Sequence, residues 1–244
     1  MDFPRGTVQE HSIYSNKLKE QVDFLIYLPA NFSPLYKYHV LIAQDGADYF
    51  RLGRITSFAD ELLYKNEIER VIIVGVPYKN AKDRYEKYHP DGSKHGAYLQ
   101  FLAQELVPFL DQHFPTYEIG LGRALIGDSL AGYASIMAAL RFPNTFGKAA
   151  LQSPYVHGTL LAEVKKLQSP PALEIYHVVG KDETSVKTTK GKLENFIEPN
   201  RELSALFKQK GFDYFYSEFA GDHTWTHWQP DVKRALKYLF KKES

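Results

Sequence analysis

From about residue 20 onward the chain alternates short apolar runs with segments of helical period, and this constrains the fold more than any other feature. Residues 22–28, 39–43, 70–76, 124–126, 148–151 and 173–179 read as strands, rich in Val, Ile, Leu and Ala, and 212–219 alternates like one. Residues 57–64, 98–111, 130–141, 200–210 and 230–240 read as helices, the last with Pro230 near its first turn. Strands that recur between helices build a mostly parallel sheet covered on both faces. Residues 7–15 pair naturally with 22–28 as a hairpin, which adds an antiparallel N-terminal edge. The expected fold class is therefore α/β, as one domain over residues 1–244.

Composition narrows the function. Lys plus Arg is 30 and Asp plus Glu is 29, so no basic excess points to nucleic acid. Cysteine is absent, which removes thiol nucleophiles, disulfides and cysteine-held metals. The apolar run 71–76 is too short to span a bilayer, and residues 1–6 carry no charged-then-apolar signal pattern. These features point to a cytoplasmic protein with no membrane partner, as a monomer or small homo-oligomer. The 17 tyrosines exceed what a core readily satisfies, so some are expected on surfaces or pocket walls.

In parallel sheets chemistry gathers where strands end at their carboxyl side. After residues 124–126 comes Gly127-Asp128-Ser129-Leu130-Ala131-Gly132, between a strand and a helix. A serine there sits on a sharp turn that lifts its hydroxyl above the sheet, with small neighbours because strand and helix approach closely. The Leu130 amide would then face a developing oxyanion. The bland alternative makes Ser129 a helix N-cap. The same Gly-Asp-Ser-Leu letters mark another hydrolase family, but here the serine is mid-chain and no Asp stands three residues before His223 or His227.

A serine nucleophile needs a base, and the base needs an orienting acid. His223 follows the last strand in Gly221-Asp222-His223-Thr224-Trp225, which suits a base; His227 is its neighbour and competitor. The pair has the spacing of a helical metal site but lacks the accompanying glutamate, so no metal is expected. His89 and His95 read as solvated or substrate-facing, and His157 and His177 as ordinary structural or surface residues. After residues 173–179, Gly180-Lys181-Asp182-Glu183 offers two carboxylates, and position alone leaves Asp182 and Glu183 both open.

At this point the chain resembles the esterase family that includes esterase D, the feruloyl esterases and the enterochelin esterases, over about residues 22–240. The blocks that carry the likeness are Val40-Leu41-Ile42-Ala43-Gln44-Asp45-Gly46, the Arg84-Tyr85-Glu86-Lys87-Tyr88 segment and the helix at 101–111. The Gly127–Gly132 elbow and Gly221-Asp222-His223-Thr224-Trp225-Thr226-His227-Trp228 complete them. The resemblance implies an α/β-hydrolase fold and ester hydrolysis through an acyl-enzyme, with no cofactor. It implies Ser129 as nucleophile, His223 as base and Glu183, with Asp182 as alternate, as acid. It implies an oxyanion hole from the Leu130 amide and that of Gly46 or Ala47.

The substrate is expected to be a small-molecule ester, possible forms including a catecholate siderophore trilactone. The loops 47–54 and 78–96 are the expected pocket walls, with Arg51, Tyr78, Arg84 and Tyr88 as substrate contacts; Arg84, Glu86 and Tyr88 also fit a purely structural cluster. Trp225 and Trp228 are expected to pack around the histidine loop. An acyltransferase using the same triad, and a non-catalytic binding relative, are the alternatives.

Overall fold

In the computed structural model, which describes residues 3–188 and 191–242, the strand-helix alternation becomes one eight-stranded sheet. The Met1-Asp2 start of the N-terminal stretch read above lies outside the described residues. The strands are β1 (Thr7–Ser15), β2 (Glu20–Leu28), β3 (His39–Gln44), β4 (Val71–Val76), β5 (Arg123–Asp128), β6 (Lys148–Gln152), β7 (Glu174–Gly180) and, at the far edge, β10 (Asp213–Phe219). Their spatial order is β1-β2-β4-β3-β5-β6-β7-β10. β1 pairs with β2, and β2 with β4, antiparallel; the remaining pairs are parallel. A two-stranded ribbon, β8 (Val186–Lys187) and β9 (Leu193–Glu194), stands apart.

Every residue of β4 and β5 is buried, as a sheet covered on both faces requires. One face packs against α3 (Ala81–Tyr88), α4 (His95–Phe101), α5 (Val107–His113), α6 (Ser129–Arg141), α7 (Gly158–Lys166) and α8 (Ile197–Lys210). The other face packs against α1 (Gly46–Arg51), α2 (Ile55–Tyr64) and α9 (Trp225–Leu239). Among the described residues, no helix is long and apolar enough to cross a membrane.

Three local expectations need correction. The final helix begins at Trp225, so Pro230 lies inside it rather than in its first turn. The helix read at 98–111 is α4 and α5 joined by a π-turn at Leu102–Leu106, beside Pro108, which has no N–H to give to the ladder. The supposed loop at 78–96 contains α3, whose start is fixed by Asn80 accepting from the Asp83 amide at 3.0 Å. Tyrosines lie on the surface, as at Tyr14, Tyr36, Tyr64 and Tyr117, and on the wall of a cavity, as at Tyr85 and Tyr155, as expected, while others enter the core. Tyr27, Tyr49 and Tyr176 are buried because their hydroxyls donate to Asp60, Gln152 and Asp231 at 2.7, 2.9 and 2.5 Å.

Candidate active site

The elbow is built from close backbone approach. A Cβ on Gly127 would stand 2.4 Å from the Ala131 carbonyl, and one on Gly132 would stand 2.9 Å from Pro154. Small residues at both places let α6 start directly on the end of β5. Ser129 is the first residue of α6 and has φ of 51°, a left-handed conformation that costs a side-chain-bearing residue about 1–2 kcal/mol. The cap position belongs to Asp128, so Ser129 is not the N-cap.

Glu183 and His223 come from the turns after β7 and β10, at the same carboxyl edge. Glu183 is buried and its Oε2 lies 2.7 Å from His223 Nδ1, while Asp182 is exposed. The geometry therefore selects Glu183 as the carboxylate that holds the imidazole. The other oxygen, Oε1, accepts from the Gly180 amide at 2.7 Å and from the Ser153 hydroxyl at 2.5 Å. Gly180 is required here: a Cβ at that position would meet Glu183 Oε1 at 2.7 Å and the Gly221 carbonyl at 2.4 Å. His223 is flanked by the Phe196 ring at 4.4 Å and, edge-on, by Trp228 at 4.7 Å. His227 packs against Gly221, where a Cβ would stand 2.4 Å from its ring, and lies 3.3 Å from Asp222. Among the described residues no group of three or more His, Cys, Asp or Glu side chains is placed to hold a metal ion.

Ser129 and His223 line one open cavity of about 400 Å³ with Leu130, Arg84, Asp128 and Trp228. The first-turn amides of α6 have no intrahelical acceptor, so the Leu130 N–H is free to bind an anion. Gly46 and Ala47 begin α1 at the end of β3, the neighbour of β5, but they are not among the described residues lining the cavity. Gly46 sits so close to β4 that a Cβ would stand 2.2 Å from the Gly75 carbonyl carbon.

Of the four expected substrate contacts, Arg84 lines the cavity and Tyr78, Tyr88 and Arg51 do not. Arg84 is committed to Asp45, with Nε at 2.8 and 3.0 Å and Nη2 at 2.6 Å from its carboxylate. Tyr88 is buried and its hydroxyl accepts from the Asp45 amide at 3.2 Å. The Tyr78 hydroxyl donates to Asp48 at 3.1 Å, and Arg51, largely exposed, lies 3.5 Å from the same carboxylate. Burial pulls the Arg84 guanidinium down, but Asp45 outweighs it and keeps the group firmly charged. The Asp128 carboxyl is pushed up to about 8, first by burial and then by Asp45, against the pull of Arg84.

The opposite wall was not foreseen. It consists of Tyr155, His157 and Phe196 with the β8–β9 ribbon. Tyr85, His89 and Tyr155 form a stacked series, with centroids 4.4 and 5.6 Å apart. His89 thus faces the cavity as expected, and so does His157, for which the sequence suggests only an ordinary structural or surface place. His95 does not; it is buried, with Nδ1 3.0 Å from the Lys87 carbonyl and its pKa lowered by burial to about 4. Trp228 packs beside the histidine, as expected, and also reaches the cavity.

A serine on a strained strand-to-helix turn, with a carboxylate-held histidine at the same edge of a mostly parallel sheet, defines the α/β-hydrolase class. The chain belongs to the esterase family described as "Putative esterase", whose model matches residues 15–239, and it is an ester hydrolase. It is 56% identical over 234 residues to the uncharacterized protein YjcH of Bacillus subtilis (strain 168), covering 96% of this chain and 98% of that one. A solved ferulic acid esterase superposes with a TM-score of 0.78 at 16% identity, covering 97% of this chain and 98% of the other. The enterobactin esterase from Shigella flexneri, solved in the presence of enterobactin, gives a TM-score of 0.83 at 18% identity. It covers 97% of this chain, which spans 60% of that structure's length. At these identities the two structures establish a shared fold.

Proposed function

We propose that the protein cleaves a small-molecule carboxylic ester through an acyl-enzyme on Ser129, with His223 as base and Glu183 as orienting acid. The Ser129 hydroxyl attacks the ester carbonyl while His223 takes its proton. The carbonyl oxygen gains charge beside the Leu130 amide and that of Gly46 or Ala47, each such donor contributing about 3–4 kcal/mol to the transition state. Collapse expels the alcohol, which takes the proton back from His223. Water, deprotonated by the same imidazole, then attacks the acyl carbon and releases the acid and free Ser129. The observation that carries the reading is Glu183 at 2.7 Å from His223 Nδ1, which leaves Nε2 as the proton-accepting atom.

The rings of Tyr85, Tyr155, Phe196 and Trp228 along the cavity favour an ester that carries an aromatic group. A catecholate trilactone is one candidate of that chemistry and a hydroxycinnamate ester another. The reading includes a cytoplasmic location and a monomer or small homo-oligomer of one domain, testable by cell fractionation and sedimentation.

The test is fluorophosphonate labelling of the wild type and Ser129→Ala, followed by peptide mapping and a panel of aromatic and aliphatic esters. Labelling at Ser129 that disappears in a folded Ser129→Ala, together with loss of hydrolysis, is the expected result. Retained hydrolysis in that variant removes Ser129 as nucleophile. Product analysis with added alcohols separates hydrolysis from acyl transfer.

A further inference from the structure

A carboxylate can orient an imidazole only if it is itself held, and glutamate has one more rotatable bond than aspartate to hold. Glu183 is tied by a short chain of hydrogen bonds that ends in a tryptophan. The Trp228 indole N–H donates to Ser153 Oγ at 3.0 Å, and the Ser153 hydroxyl donates to Glu183 Oε1 at 2.5 Å. The direction of both bonds is fixed. Indole nitrogen is a donor only, so Ser153 Oγ must accept from it, and its own proton is left for the carboxylate. Ser153 is fully buried and, at φ of 47°, is a non-glycine residue in the left-handed region, like Ser129. Its amide is pinned to the Val178 carbonyl at 2.7 Å.

Trp228 is anchored as well. Its carbonyl accepts from Gln152 Nε2 at 3.0 Å, Gln152 accepts from Tyr49 at 2.9 Å, and its ring edge meets His223 at 4.7 Å. The one indole therefore touches the base directly and reaches the acid through Ser153.

We infer that Ser153 and Trp228 are positioning residues for the triad, acting in series through Glu183 to keep its Oε2 directed at His223. This rests on the acyl-enzyme reading above. Without the Ser153 donor, Oε1 keeps one partner, the Gly180 amide, and the carboxylate gains freedom to turn from the imidazole. For Ser153, which is not part of the cavity lining, the cost falls on proton transfer and leaves the cavity intact.

The experiment measures kcat, KM and fluorophosphonate labelling rate for Ser153→Ala, Trp228→Phe and the double variant, each alone and in a Glu183→Gln background. Trp228→Phe keeps an aromatic ring and removes the N–H; the double variant leaves no orphaned indole donor if Ser153→Ala alone folds poorly. Ser153→Ala is expected to lower kcat and labelling about 10- to 100-fold, the scale of one hydrogen bond to a charged group, with KM within about twofold. Trp228→Phe lowers them less, and the double variant no further than Ser153→Ala. In the Glu183→Gln background the Ser153→Ala loss shrinks to about threefold or less. Wild-type kcat in folded Ser153→Ala, or an equal loss with and without Glu183, overturns the inference. If instead Ser129→Ala still hydrolyses and labels, the acyl-enzyme reading is what fails.

Discussion

Arg84 and Asp45 form a forked ion pair between α3 and the end of β3, with three contacts of 2.6–3.0 Å and side chains only 14% and 3% exposed. Asp45 itself is left-handed, at φ of 53°, and leads directly into Gly46. The pair therefore fastens α3 over the turn from which an oxyanion donor is proposed to come. Arg84→Met leaves a buried carboxylate without its partner, a loss of about 3–5 kcal/mol, or on the order of 10 °C in Tm. Asp45→Asn combined with Arg84→Met recovers part of it, since no charge is stranded. Calorimetry of the wild type and the two variants checks this; an unchanged Tm in Arg84→Met rules out the pair as a fastening.

Asp128 makes stability depend on pH. Its Oδ1 is buried without a hydrogen-bond partner, and burial followed by Asp45 raises its pKa to about 8. An acid with a raised native pKa keeps its proton in the folded chain after the unfolded chain has lost it. Between about 4 and 8 the unfolded state therefore binds fewer protons, and stability falls as pH rises. Asp128→Asn has nothing to titrate there. Its Tm is expected to gain on the wild type steadily across that window and to hold a constant lead above it. A parallel Tm-against-pH curve for the two proteins contradicts the assignment. Asp45, Asp48 and Arg84 face Asp128 in both proteins.

The sheet is legible in the sequence because each central strand is a β-branched or small-residue run that ends at a turn. Ser129 and His223 are legible for the same reason: each sits in a Gly-containing turn at a strand's carboxyl end. Glu183 differs, since two adjacent carboxylates occupy its turn and only burial separates them. The helix α3 was hidden by its polarity, although Asn80 three residues before Asp83 is a start signal that periodicity overlooks. Arg84 lines the cavity, but its pairing with Asp45, 39 residues away, could not be read from the sequence. The cavity's far wall joins Tyr155 and His157, after β6, to the β8–β9 ribbon and Phe196, which no local pattern brings together.

The two carboxylates give opposite outcomes. Glu183→Gln replaces an acceptor-only group with an amide that cannot stabilise a protonated imidazole, and kcat is expected to fall about 10³- to 10⁴-fold with little change in KM. Asp182 is exposed, and its amide is held by the Gly221 carbonyl at 3.1 Å whatever the side chain. Asp182→Asn is expected to keep wild-type kcat within about twofold, as surface changes generally do. Steady-state kinetics on one ester decide it; the reverse ranking moves the acid to Asp182.

Ser129 carries a strain that its chemistry does not need once the hydroxyl is gone. Left-handed backbone at φ of 51° costs about 1–2 kcal/mol for any residue with a Cβ and almost nothing for glycine. Glycine also loosens the unfolded chain, which takes back about 0.4–1 kcal/mol. Ser129→Gly is therefore expected to be more stable than Ser129→Ala by about 0.5–1 kcal/mol, with neither expected to hydrolyse ester. The comparison is made between these two variants because both lack the hydroxyl, so backbone strain, offset by the looser unfolded chain of glycine, is what separates them. Urea unfolding midpoints at equal m-values read the difference. If Ser129→Ala is the more stable of the two, the turn is held in a conformation that alanine accepts without cost, and the elbow stores no strain.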